Sequence, residues 1–505
     1  MSIPFNNIPG NTLVPFAWFE FNSGGTPALG ASELLLIGQM TAAGIAPAGV
    51  PYGPIQSQAD AIRQFGLGSM LVGMFNVARA NAPTQAIWAL PIADPAGVAA
   101  TGSVTFTAPG VAGAASLEVM GRLITWQVNA ADTAVNICAN AVAAMNAANL
   151  PIVATVDGVT AAKMDLAARH IGTLGNFIAV ALVTNQANVL AAANAAIVAM
   201  AGGTGVPVLT VPLANCGVLP FDWIASPYSD AASLAAVQTF LNDVNGRWSS
   251  FEQIYGHHTT CAAGTLATQA TLGASRNNQH ETIMGAQVFR TPPWEWAAAL
   301  GAEEVENLAT APSLSQPMQT LVLQNVLPPF DRTKWWQGSD RQALYSSGIA
   351  AFTVNASGQV AIDRMVTTYK TNAAGAPDAT FLDIETMAQG MFSLRYLRGQ
   401  VQTQHGRKAF AATNPFQVST IVTPPDIATT LVHAYKDLVA FGVTQDAATF
   451  ASLLVVQVNA NNPNRCDAYL PLDFVNQLRI FAANVTAFLQ FFSAAGESLA
   501  ALATA

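Results

Sequence analysis

His257, His258 and His280 fall in one stretch of the chain with Ser275 among them, and these are the residue types of a serine hydrolase. The His pair follows residues 251–255, which read as a strand, and sites in α/β proteins lie beyond the carboxyl ends of strands. A hydrolase also needs a turn that presents its nucleophile. The sequence holds no GxSxG, and it holds no HExxH for a metal. Adjacent histidines point their rings in different directions, so the pair does not converge on one ion. Gly202-Gly203-Thr204-Gly205 resembles a phosphate cradle but lacks the Lys-Ser/Thr that completes one, and it reads as a turn at a domain boundary. Asp383 and Glu385 open a helix, where acidic groups favour the positive end of the helix dipole, and need not act as a carboxylate pair. Arg395, Arg398, Arg407 and Lys408 make one basic cluster, either a solvated face with its loop or a dock for an acidic partner surface. Cys138, Cys216, Cys261 and Cys466 form no CxxC and read as buried small hydrophobes in a reducing compartment. No catalytic residue, metal or cofactor is expected. A serine hydrolase remains the enzyme alternative, and a secreted adhesin or shell protein is a third class that the α/β pattern disfavours.

The elements that would carry these residues are an α/β series with an interruption. Residues 34–37 are a short apolar run suited to a buried strand. Ser57 with Asp60, and then Ser69, are the starts of two helices, and residues 86–91 form the next strand. Between 99 and 207 the texture changes to strands at 104–107, 123–128, 152–156 and 178–183 around an Ala-rich helix at 132–149. Strand-helix alternation resumes at 223–226 and continues through 281–289 to a helix opening at Pro292 and Pro293. This spacing implies a mostly parallel sheet covered by helices. Strands at 349–354 and 360–365 precede a last α+β region with helices at 381–397 and 426–441 and a closing β run. The opening residues, with Pro4, Pro9 and Gly10, exclude a helix. Residues 14–21 (VPFAWFEF) are strand-like, ahead of a Gly- and Pro-containing stretch at 22–30. They are either the first strand of the nearest domain or an arm able to pair with another chain's sheet edge.

Charged residues make up only 10% of the 505, against 51% hydrophobic, where soluble domains average about 25% charged. The most apolar stretches, 189–200 and 487–505, are broken by polar residues and fall short of the roughly 20 apolar residues a span needs. No Lys or Arg precedes Arg63, so a secretory signal is not expected. The net charge of −9 argues against wrapping nucleic acid. These counts predict a soluble chain, made in the cytoplasm, that completes its burial against copies of itself.

The order of segments resembles the tail sheath proteins of Mu-like contractile-tailed bacteriophages. The resemblance is carried by SIPFNNIP with VPFAWFEF, LLLIGQ at 34–39, FGLGSMLVGMFNVARANAP, TPPWEWAAAL at 291–300, TTYKTNAAGAPDATFLDI at 367–384, NNPNRCDAYLP at 461–471 and NQLRIFAANVTAFLQ at 476–490. It implies a multidomain α/β and α+β chain. An N-terminal arm (1–28) would precede a central subtilisin-like, non-catalytic α/β domain (29–98 and 208–379), which lacks the GTSxAxP motif of subtilisins. An inserted α+β domain (99–207), a C-terminal sheath domain (380–478) and a C-terminal arm with tail (479–505) would complete it. It further implies a structural protein that stacks as hexameric rings around a tail tube and contracts to drive the tube through the host envelope. The implied partners are the tube, baseplate and tail terminator proteins, with no nucleic acid and no membrane. The implied location is the virion, with assembly in the host cytoplasm. Strand exchange between subunits is expected to use Val14, Phe16, Trp18, Phe19 and Phe21, and Leu478, Ile480, Phe481, Val485 and Phe488. Tube-facing candidates are Lys436 and Asp437, with Arg395, Arg398, Arg407 and Lys408.

Overall fold

A computed structural model describes residues 32–184 and 186–487. Residues 14–21 and Phe488 lie outside the described residues. At the centre is a five-stranded parallel sheet built from β1 (Glu33–Gln39), β2 (Ile87–Ile92), β3 (Phe221–Ala225), β4 (His257–Ala263) and β5 (Glu281–Ala286), in the spatial order β5-β4-β3-β1-β2. Leu34, Leu35, Leu36 and Ile37 are fully buried, as expected for a parallel strand covered on both faces. The chain winds outward from β1 in both directions, so the sheet reverses order between β1 and β3.

Helices α1 (Gln58–Phe65) and α2 (Met70–Asn81) cross from β1 to β2. The Oγ atoms of Ser57 and Ser69 accept from the amides of Asp60 and Val72 at 3.2 and 3.3 Å, satisfying amides that a helix start leaves without partners. Helices α3 (Ala231–Leu241) and α4 (Leu266–Ala274) make the β3-to-β4 and β4-to-β5 crossovers. Helix α5 (Pro293–Asn307) starts on Pro292 and Pro293 and packs against α2, β1, β3 and β4. Gly301 allows that approach, since a Cβ there would sit 2.8 Å from Leu34 Cδ1 and 2.9 Å from Ala225 Cβ.

The stretch between β2 and β3 forms two antiparallel sheets. One orders strands Ile152–Val156, Lys163–Ile171, Ala99–Phe106 and Ala195–Ala201; the other orders Arg122–Val128, Gly113–Val119 and Val180–Leu182. Helix Ala134–Ala147 packs against both. After α5, a hairpin of Ala351–Val354 and Val360–Arg364 leads to α6 (Ile384–His405), α7 (Pro424–Ala440), a short helix Ala447–Leu453, and the two-stranded hairpin β6 (Val455–Val458) and β7 (Cys466–Tyr469).

Two strand readings are corrected. Residues 251–255 form no strand. Phe251 is 93% exposed, and Gln253 and Tyr255 take left-handed φ of 50° and 68°, which break extended pairing. The strand begins two residues later with the polar-looking but buried run HHTTCAA. Residues 478–487 pair with no strand among the described residues.

Candidate functional site

The place where an enzyme of this architecture would work is closed. At the carboxyl ends of β3 and β4, beside the order reversal where such sheets hold ligands, lies a cavity of only about 210 Å³. Leu174 and Phe177, from a 3-10 turn of the insertion, line it together with Tyr228, Cys261 and Phe289. Burial pushes the Cys261 thiol well above its ordinary range, so it is no nucleophile. The insertion is fastened over this edge by polar contacts. Gln39 Nε2 donates to Asp94 Oδ1 at 2.7 Å and to the Ile171 carbonyl at 2.8 Å. His170 Nε2 accepts from the Met70 amide at 2.9 Å, which leaves Nδ1 to donate to Asp94 at 3.0 Å. Arg290 grips Glu118 through two bonds of 2.6 and 2.7 Å, and Arg122 reaches the buried Glu295 at 2.9 Å. Among the described residues, no group of three or more His, Cys, Asp or Glu side chains is placed to hold a metal ion.

The histidines stand at the opposite, amino-terminal end of β4, which corrects the reading that set them beyond a strand's carboxyl end. His257 Nε2 meets Thr282 Oγ1 at 2.9 Å, and burial drives its pKa well below the usual value. His258 Nε2 meets Ser226 Oγ at 2.8 Å, a Ser-His pair the sequence did not suggest. Both residues are 0% exposed, His258 Nδ1 has no hydrogen-bond partner to orient the ring, and burial lowers its pKa to about 3. A sealed pair without an orienting acid reaches no substrate. His280 stacks on Trp248 at 4.5 Å and meets Asp243. Ser275 is exposed on the C-cap of α4 with its hydroxyl donating to Leu272.

A buried acid with consequences for stability lies behind β4. Glu304 on α5 is fully buried and accepts from Thr259 at 2.5 Å, and burial raises its pKa to about 8. In the unfolded chain it ionises near 4.5, so between those values the folded state holds a proton that the unfolded state has released. Stability therefore falls as pH rises through that interval, by at most roughly 1.4 kcal/mol per pH unit from this group. Urea unfolding of the subunit at pH 5, 6, 7 and 8 is expected to show this fall. Glu304→Gln is expected to reduce it, most between pH 6 and 7, while Glu295 and Glu303, which burial raises to about 7, keep part of it; an unchanged slope in the variant would assign the effect elsewhere.

The C-terminal elements place the remaining candidates. Arg395 is no docking residue. From the middle of α6 it holds Asp222 at the start of β3 through two bonds of 2.5 and 2.7 Å and donates to the Ile254 carbonyl at 2.7 Å. Its guanidinium lies over the Tyr255 ring at 5.4 Å. The basic cluster is therefore split, with Arg398, Arg407 and Lys408 exposed and Arg395 structural. On α7, Lys436 is exposed, while Asp437 accepts from Tyr396 at 2.8 Å and so ties α7 to α6.

Glu385 is fully buried, and Arg479 donates to it at 2.6 Å and to Asp383 at 3.2 Å. This clamp fixes the root of the C-terminal segment to the first turn of α6. On either side of it apolar side chains are exposed: Leu478 72% just before the clamp, and beyond it Ile480 81% and Phe481 and Val485 85% each. Aliphatic and aromatic side chains so exposed in sequence mark an interaction surface. The outer edges of the β6–β7 hairpin carry no further strand among the described residues.

Residues 202–368 match the family described as phage tail sheath protein central domain. The Mu-like prophage FluMu tail sheath protein of Haemophilus influenzae is 31% identical to this chain over 493 residues, 95% of this chain and 99% of that one. Among solved structures, the sheath tail protein of Desulfitobacterium hafniense aligns with a TM-score of 0.45 at 10% identity, covering 88% of this chain and 93% of its own. That of Listeria innocua aligns with a TM-score of 0.46 at 13% identity, covering 88% and 92%.

Proposed function

The chain belongs to the tail sheath proteins of Mu-like contractile phages, a structural family, and from that premise we propose that it polymerises through exchanged terminal strands into stacked hexameric rings around a tail tube. Contraction of the stack drives the tube through the host envelope. Residues 29–98 and 208–379 act as the subtilisin-like body, 99–207 as the insertion, and 380–478 as the domain that receives the arms. Baseplate and terminator proteins bound the stack in the virion after assembly in the host cytoplasm. Lys436, with Arg398, Arg407 and Lys408, faces the tube.

The observation that carries this reading is the apolar segment around and after Arg479, exposed in the single chain, which also holds a two-stranded hairpin with open edges. Fully burying Leu478, Ile480, Phe481 and Val485 against a neighbour is worth roughly 1.5–3 kcal/mol each, and pairing satisfies their backbone groups as well. The low charge content agrees, since a surface destined for other copies needs few solvated groups.

Negative-stain electron microscopy of the purified chain with tube protein tests the proposal. Hollow tubes of stacked rings are expected. Closed shells, or a monomer that stays dispersed with tube protein present, would sink it. Trp18→Pro removes a backbone donor from the N-terminal strand and is expected to leave no tubes under the same conditions; normal tubes would count against exchange at that arm.

A further inference from the structure

An apolar groove of about 1030 Å³ runs between α6, α7, the β6–β7 hairpin and the loop ahead of β4. Leu397, Val401, Ile427, Leu431 and Leu470 line it, with Arg398 and the half-buried Cys466 also on its wall. The C-terminal segment does not fill it, since Ile480, Phe481 and Val485 are exposed.

The described residues begin near this groove. Glu33 pairs in register with Phe221, and the next residue, Asp222, is the partner of Arg395. Arg395 sits next to Leu394 and one turn before Arg398, and the Tyr255 ring beneath its guanidinium also lines the groove. The sequence before Glu33 contains Phe16, Trp18, Phe19 and Phe21 around a single charge, Glu20. Between Phe21 and Glu33 the chain can reach at most about 40 Å, more than the roughly 33 Å length of α6. Arg398 makes no ion pair among the described residues and is the complement of Glu20.

We propose that in the unassembled subunit residues 14–21 fold back into this groove of their own chain, with the aromatic side chains on its leucines and Glu20 at Arg398. This goes beyond the sheath reading but rests on it in one respect: the same residues serve as the exchanged strand, so the groove competes with the neighbour for them. A tethered segment meets its own groove at millimolar effective concentration. Free subunits therefore keep their arms, and assembly waits for a growing end that binds the arm better.

The test uses the full-length chain with Trp18→Cys or, separately, Phe21→Cys, oxidised while dilute and mapped by peptide mass spectrometry. Cys138, Cys216 and Cys261 are buried, which leaves Cys466 as the accessible native thiol. More than half of the monomer is expected to close an internal link to Cys466 from at least one of the two positions. The yield should be unchanged by tenfold dilution, and Cys466→Ser should abolish the link. No link from either position would overturn the proposal. So would a link between chains that fades on dilution, which makes a second copy the occupant, or a Ser493→Cys chain that links instead. Because the link is read on monomers, a failure to form tubes would refute the sheath reading without touching this result.

Discussion

A subunit carrying Ile480→Asp and Phe481→Asp is expected to fold as the parent does and to form no tubes. Both side chains are more than four-fifths exposed in the single chain, and substitutions at such positions usually move stability by less than about 0.5 kcal/mol. Against a neighbour the same two positions would bury carboxylates with no partner. Each such burial costs several kcal/mol unless the group is neutralised. Urea unfolding of the monomer and electron microscopy with tube protein separate the two effects. A variant with the parental unfolding midpoint and normal tubes would show that the segment after Arg479 does not join subunits. A variant that unfolds early would instead show that these residues serve the subunit's own fold.

Arg395→Ala should strongly destabilise the body of the subunit. It removes a two-bond ion pair from the start of β3, and with it the donor to Ile254 and the cation over Tyr255. Asp222 is 5% exposed and would be left buried without its counter-charge. Breaking a buried pair by removing one partner costs about 3–5 kcal/mol, comparable with much of the stability of an ordinary domain. The expected result is a large drop in the urea midpoint, and most of it should return in Arg395→Ala combined with Asp222→Asn, where no charge is stranded. A loss below 1 kcal/mol in the single variant would mean that water reaches Asp222 and that α6 is not fastened to the sheet there.

What the sequence made legible was local. Ser57 and Ser69 start helices because a short hydroxyl side chain can serve a bare amide, and that signal needs no knowledge of the rest of the chain. The parallel strands were readable where they were dense in Leu and Ile, as at 34–37. They are not legible where the same burial is met by small or hydroxyl residues, as in HHTTCAA of β4, so residues 251–255 read as the strand instead. Gly113–Val119 was missed because Gly and Ala carry little strand preference. Lys163–Ile171 was missed although Met164, Leu166, Ala168 and His170 alternate inward as a half-buried strand requires. The candidate site failed at longer range. Arg395 looked like one of four neighbouring surface cations, and its partner lies 173 residues away. No spacing rule reports such a pairing. Nor could sequence tell that Ser226 would meet His258 in a place no substrate can enter.

The clamp at Arg479 and the pair at Arg395 lie on one helix, and together they describe a line of force. Tension on residues beyond Arg479 enters the body at Asp383 and Glu385, at the first turn of α6. It then runs along a helix of 22 residues, whose backbone bonds act in parallel with its axis. It leaves at Arg395 for Asp222, which belongs to a strand held on both sides by parallel neighbours. Along this line a guanidinium holding carboxylates stands at each junction. If the arm is exchanged as proposed, a pull on it would therefore be felt first at the central sheet, through two ion-paired junctions and the helix between them.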